Sequence, residues 1–157
     1  MSLVFFIIIF IVKRHFHHLA AFPNTNKLIL VDGPGSTDDE ANLELSRKIR
    51  NQNIATHLPA NAEIASDAVG LFIAGTTRTR EIGSKFGVHA WADDTSEATD
   101  YPVGDEIHQP YIDYYIDMGF SQTDAEAFYY FTINIASHDE IHWMTDAEIE
   151  KYNLLTP

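Results

Sequence analysis

From Lys27 onward the chain switches between short apolar runs and amphipathic stretches, and each change of period marks an element. Lys27-Leu-Ile-Leu-Val31 is an apolar run closed by Asp32-Gly33-Pro34-Gly35, which predicts a buried strand ended by a turn. Ser36 or Thr37 then offers a helix cap, with Asp38, Asp39 and Glu40 as favourable charges in the first turn. Ala41, Leu45 and Ile49 recur at four-residue spacing, so the helix has one apolar face and ends near Asn51-Gln52-Asn53. Ile54 to Leu58 reads as a second strand. Strand, helix and strand within about 30 residues form a βαβ unit, which implies parallel pairing and a right-handed crossover.

A second unit follows. Ser66 opens the stretch Ala68 to Ala74, which has too few polar positions for a surface helix and predicts one buried between layers, ended by Gly75. Thr76 to Glu81 is β-prone, Ile82-Gly83-Ser84 is a turn, and Lys85 to Ala90 is another strand. Ala92 to Gly104 reads as a polar, flexible excursion, because Asp93, Asp94, Ser96, Glu97, Thr99 and Asp100 leave little to bury. The last third is helical in pattern: Pro110 to Met118, Gln122 to Ile135, and a helix over Asp146 to Lys151 capped by Thr145.

The N-terminus breaks this grain. Leu3 to Val12 is an unbroken apolar run followed by Lys13, Arg14, His15, His17 and His18. A spanning helix needs about 20 residues, and a secretory signal carries its positive charge before the apolar stretch rather than after it. Its Ile, Val and Phe content favours a buried strand. A short membrane anchor is the second reading, and an incorrectly chosen start the third.

Composition narrows the function classes. With 157 residues, 45% of them apolar, the chain suits one domain with a real core. A net charge of −13 excludes the clustered Lys and Arg of a nucleic-acid binder. The charge is uneven: beyond Phe86 the only basic residue is Lys151, against fifteen Asp and Glu. Such a surface repels anionic lipid and acidic substrates and is more hospitable to neutral or basic ones. The absence of cysteine removes disulfides, thiol nucleophiles and Cys-based zinc sites.

Three short motifs carry candidate chemistry: the Gly33-Pro34-Gly35-Ser36 turn, Ile64-Ala65-Ser66-Asp67, and Gly87-Val88-His89. Together they supply backbone donors, a serine opening an apolar helix, and a histidine ending a strand, the parts that a serine nucleophile requires. Each also has an ordinary structural occupation, Ser66 as a helix cap, His89 as a strand-end residue and the glycines as turn residues.

The glycine turn resembles the Ser-Pro-Gly-Gly turn of the Clp protease proteolytic subunit and of signal peptide peptidase A. Ile64 to Ala68 resembles the nucleophile turn of the former, Val88-His89 its histidine strand end, and Met144 to Leu154 its closing helix. Asp39 to Leu43 and His142 to Thr145 resemble a little-described, often periplasmic bacterial branch of the superfamily. The resemblance covers about Lys27 to Leu154 and implies an α/β, Clp/crotonase-like fold of repeated β-β-α and βαβ units with a helical C-terminal part. Residues 27–157 would form that domain, and residues 1–26 the apolar segment with its basic, His-rich tail.

The implied activity is that of a serine hydrolase, a peptidase acting on a peptide or protein without a cofactor. Ser66 would be nucleophile, His89 base, and the N–H groups of Gly35 or Ser36 and of Asp67 the oxyanion hole. Asp139 would be the third member, with Glu140 second. The resemblance also implies a periplasmic or membrane-associated location, with the N-terminal segment as the membrane contact, and a homo-oligomer. Asp67 departs from the family, which places a small or apolar residue after the nucleophile, and Ser36 stands where a second glycine belongs.

Two other readings compete. The fold hosts members without catalysis, which bind a peptide or protein partner. His138 and His142, at i and i+4 on a helix with Asp139 and Glu140 between, would form a metal site of a hydrolase. The aromatic series Tyr111, Tyr114, Tyr115, Phe120 and Phe128 to Phe131 is expected to pack in the core rather than line a substrate groove.

Overall fold

The computed structural model describes residues 2–6, 23–35 and 39–157. Seven strands, Ser2–Phe6 (β1), Lys27–Gly33 (β2), Ala55–Leu58 (β3), Glu63–Ala65 (β4), Arg78–Arg80 (β5), Lys85–Val88 (β6) and His142–Trp143 (β7), form one sheet. Its order is β5-β3-β2-β4-β6-β7, with β1 parallel to β2 off that path. Every described pairing is parallel except β6 with β7. Among the described residues, five α-helices, Asp39–Asn51 (α1), Asp67–Ile73 (α2), Gln109–Asp117 (α3), Gln122–Ile135 (α4) and Asp146–Lys151 (α5), pack with the sheet.

The first βαβ unit forms as its pattern predicts, with β2 and β3 parallel around α1. Leu28 and Leu30 are buried on β2, and α1 buries Ala41, Leu45 and Ile49 on one face. α2 is apolar all round because it is a core element: Leu71, Phe72 and Ile73 are buried, and Phe72 meets Phe86 edge-on at 4.9 Å. The last helices start at strong local signals. The Ser121 side chain accepts from the Asp124 N–H, and Thr145 and Glu148 form a reciprocal capping box.

Segment 92–104 corrects the expectation of a flexible excursion. Its acids serve as acceptors for main-chain N–H groups. The Asp93 carboxylate accepts from Thr95 N and Ser96 N, both at 2.8 Å, and is held below the usual carboxylate range by them. Glu97 N donates to Asp100, and Glu97 Oε1 accepts from His138 N at 2.6 Å. Ala98, in a turn of 3-10 helix, is fully buried. The strand β7 was not expected either; it pairs Trp143 with Gly87 and His142 with Val88. A Cβ on Gly87 would lie 2.7 Å from Ile141 and 2.9 Å from Ala65, so glycine permits this close packing.

At the N-terminus, Ser2–Phe6 is a strand, while the remainder of the apolar run and the basic, His-rich tail lie outside the described residues, as do Ser36, Thr37 and Asp38. Among the described residues, no helix is long and apolar enough to cross a membrane.

Arg78 joins three parts of the fold. Its side chain donates to Leu154 O at 2.7 Å and Asn153 O at 3.1 Å beyond α5, and to Ile73 O and Gly75 O at the end of α2. Among the described residues no carboxylate pairs with it; burial and the nearby Arg50 push its pKa down to about 10, so it remains charged at neutral pH. Thr156 N and Oγ1 bond the Arg78 main chain, covering the outer edge of β5. Arg78→Leu removes the donors of four carbonyls at once and is expected to destabilise the protein by about 3 kcal/mol. Urea denaturation would show this as a midpoint lower by about 1–2 M. Arg78→Lys should recover less than half, because one ammonium does not reach both helix ends.

Candidate functional site

The parallel pairing of β4 with β6 sets the geometry of the site. Ala65 lies opposite Gly87, and Ser66 N donates to Gly87 O at 2.9 Å, which brings the ends of the two strands side by side. Ser66 follows β4 and His89 follows β6, so the two side chains emerge at the same sheet edge, where parallel α/β folds place ligands.

Ser66 holds a strained backbone, with φ 55° and ψ −131°, at the turn from strand to helix. Non-glycine residues rarely adopt this conformation, and its cost, of order 1–3 kcal/mol, is characteristic of functional turns. The side chain does not cap α2, so the ordinary helix-cap occupation is not the one it has. Gly35, with φ 116°, packs against it: a Cβ there would stand 2.9 Å from Ser66 Cβ and 3.3 Å from Oγ. The turn after β2 therefore approaches the serine as closely as glycine allows. Ser36 lies outside the described residues, and Asp67 is the first residue of α2.

Ser66 and His89 line one cavity of about 120 Å³. Each is half-buried, and no hydrogen bond joins them among the described residues. The His89 Nδ1 lies 2.7 Å from the carbonyl oxygen of Ala90. A carbonyl only accepts, so Nδ1 carries the ring proton and Nε2 presents its lone pair. A main-chain carbonyl thus orients this imidazole where a carboxylate was expected.

Asp139 stands elsewhere. It is exposed in the turn between α4 and β7, where the Ser137 hydroxyl bonds its carboxylate at 2.7 Å and holds its pKa below the usual range. Glu140 is exposed in the same turn, and neither lines the cavity. The metal reading of His138 and His142 needs correction, because no helix carries them. His138 sits in the turn and pairs with Glu97 at 3.3 Å, while His142 is on β7 and pairs with Glu148 at 3.1 Å. Among the described residues no group of three or more His, Asp or Glu converges on a metal position.

The aromatic series packs in or against the core as expected, and five of its rings also line the cavity. Tyr111, Tyr114 and Tyr115 from α3, with Phe128 and Tyr129 from α4, face the same space as Ser66. Trp91 stacks on Tyr111 at 5.6 Å, and Tyr111 on Tyr129 at 5.7 Å. Trp91 Nε1 donates to the Tyr129 hydroxyl at 3.0 Å, and that hydroxyl lies 2.7 Å from Nδ1 of the buried His108. Taken in order, the Tyr129 proton goes to His108 Nδ1, and His108 Nε2–H points at the Tyr101 carbonyl, 3.4 Å away. Burial pushes the Tyr129 phenol up to about 12, so it stays protonated. Asp39, Asn42 and Trp91 also line the cavity and were not singled out in the sequence. Their signal was position, since each follows closely on the end of β2 or β6.

The fold is Clp protease-like. A mutant of the 1510-N membrane-bound stomatin-specific protease, in complex with a substrate peptide, matches over 98% of this chain and 71% of its own, at a TM-score of 0.59 and 18% identity. The 1510-N membrane protease specific for a stomatin homolog from Pyrococcus horikoshii matches over 99% and 70%, at 0.59 and 14%. A ClpP1 mutant from Listeria monocytogenes matches over 98% and 88%, at 0.62 and 12%. No protein-family model and no curated protein sequence matches the chain.

If the turn at Ser66 is strained, glycine should relieve it. Ser66→Gly is expected to be about 1 kcal/mol more stable than wild type, the relief exceeding the entropy that glycine adds to the unfolded chain. Ser66→Ala keeps the strain and should not gain. Equal stability of the two variants in urea would show a relaxed backbone.

Proposed function

We propose that this protein is a serine hydrolase, a peptidase, in which Ser66 is the nucleophile and His89 the general base. The observation that carries this reading is the strained strand-to-helix turn that presents Ser66 to the cavity shared with His89. The peptidase neighbours of the fold support it at the level of class.

In this mechanism Ser66 Oγ attacks the acyl carbon while its proton passes to His89 Nε2. The Ala90 carbonyl holds Nδ1–H throughout, keeping the ring in the tautomer that can act as base. Gly35 packs against Ser66 and Asp67 follows it in the chain, so their main-chain N–H groups would receive the oxyanion in this reading. Collapse of the tetrahedral intermediate sends the His89 proton to the leaving amine. Water then attacks the acyl-serine, giving its proton to Nε2, and the acid departs as Ser66 Oγ recovers that proton. With a carbonyl dipole in place of a carboxylate beside His89, the imidazolium is stabilised less, which favours slow turnover.

A second reading, a peptide-binding protein without turnover, is favoured by the absence of a Ser66–His89 hydrogen bond, although such bonds are often long before substrate binds. The membrane-bound description of the neighbours supports attachment of this chain to a membrane, while the Ser2–Phe6 part of the apolar run is taken up by the sheet.

Labelling with a fluorophosphonate separates the two readings without a known substrate. Wild type should form a single adduct at Ser66, located by mass spectrometry. Ser66→Ala should not label, and His89→Ala should label about 100-fold more slowly or less. EDTA should leave the rate unchanged. Equal labelling of all three proteins, or an adduct on another serine, would remove Ser66 and His89 from the mechanism.

A further inference from the structure

The carbonyl that orients His89 belongs to a peptide unit anchored on both sides. Ala90 C=O, 2.7 Å from His89 Nδ1, shares its peptide plane with the N–H of Trp91. Before that plane, Ala90 N donates to Ala136 O at 3.0 Å, at the end of α4. After it, Trp91 is held twice: its carbonyl accepts from Ala98 N at 3.0 Å, and its indole N–H donates to the Tyr129 hydroxyl at 3.0 Å. Tyr111 stacks on both the Trp91 and Tyr129 rings, at interplanar angles of 14° and 12°, which fixes the three as one pile.

The indole anchor depends on where the Tyr129 proton goes. The phenol oxygen accepts well from Trp91 only while its own O–H is turned to another acceptor, and that acceptor is His108 Nδ1, 2.7 Å away. His108 is 1% exposed and lies among the Tyr101, Tyr129 and Tyr130 rings, so bulk water does not stand in for a lost partner. A neutral imidazole suits the place, because it accepts at Nδ1 and points Nε2–H at Tyr101 O, 3.4 Å off. Lysine and arginine have no acceptor, and a carboxylate would bury a charge among aromatic rings.

We propose that His108 is a positioning residue for the base. Through Tyr129 and Trp91 it fixes the Ala90 carbonyl, which keeps the His89 proton on Nδ1 and leaves Nε2 free to take another. Its effect on the reaction rests on the serine hydrolase reading; its effect on the His89 ring does not. The chain of imidazole, phenol and indole supplies from the helical side what a carboxylate beside His89 would supply directly, a fixed acceptor for Nδ1–H. That gives a use to three polar side chains bonded in series in a largely apolar wall, where each needs its partner in place.

The test reads the His89 tautomer from imidazole nitrogen shifts of the full chain labelled at histidine, recorded at alkaline pH where the rings are neutral. The His89 signal is the one missing from His89→Ala. In wild type it should report the Nδ1–H form. In Tyr129→Phe and His108→Leu it should move toward the Nε2–H form. In His108→Asn, whose side-chain oxygen can accept from Tyr129 in place of Nδ1, it should return. Fluorophosphonate labelling should follow the same order, about tenfold slower in Tyr129→Phe and His108→Leu and within about twofold of wild type in His108→Asn. A general loosening of the fold would slow all three variants alike, without ranking them by the acceptor at position 108. If His108→Leu does not fold, Tyr129→Phe, which removes a single oxygen, decides the question. A His89 ring that keeps the Nδ1–H form in folded Tyr129→Phe would overturn the proposal, as would equal tautomers in His108→Asn and His108→Leu. The expected tautomer shifts in a protein that never labels would sustain the positioning role and refute the hydrolase reading.

Discussion

The guanidinium of Arg78 binds the carbonyls that close α2 to those that follow α5, and much of the site's geometry depends on it. Carbonyls at helix ends carry partial negative charge, so a buried cation placed among them is stabilised without a carboxylate. The consequence reaches the other end of α2. A serine with φ 55° relaxes unless the elements on both sides of it are held, and α2 is held at its far end by Arg78. At its near end, Gly35 and the Ser66–Gly87 hydrogen bond complete the constraint. Strain at the turn after β4 and the buried charge of Arg78 are two parts of one arrangement.

Within that frame the chemistry is divided between main chain and side chains. The main chain orients His89 through the Ala90 carbonyl and surrounds Ser66 with the turn after β2. Side chains contribute the walls: aromatic rings from α3 and α4, with Asp39 and Asp67 among the lining residues. This division leaves the reactive geometry tied to sheet register, while the walls belong to helices.

The fold was legible where signals are local. The Asp32–Gly35 turn, the four-residue spacing in α1 and the Thr145 cap all lie within a few residues of the elements they define. β7 was not legible, because two residues acquire strand geometry only by pairing with Gly87 and Val88, more than fifty positions away. The acids of segment 92–104 read as solvated because composition does not reveal that Asp93 and Glu97 accept main-chain N–H groups. In the site, Ser66 was legible as the residue at a strand-to-helix turn and His89 as a strand-end residue. The partner of His89 was not, since a carbonyl has no side-chain signature, and Asp139, the residue expected there, is partnered by Ser137. Asp39 and Trp91 were within reach, as residues just beyond the ends of parallel strands.

The placement of Trp91 has an optical consequence. The chain has two tryptophans, and they occupy unlike surroundings. Trp91 stands in the cavity wall, stacked on Tyr111 and bonded to the Tyr129 hydroxyl, whereas Trp143 lies at the sheet edge, 41% exposed, beneath the Lys85 ammonium. An indole N–H held by a phenol emits at a wavelength that shifts when the bond is broken or its surroundings dry. Replacing Trp143 with phenylalanine would leave one tryptophan, in the cavity wall, whose selectively excited emission reports occupancy without any attached dye.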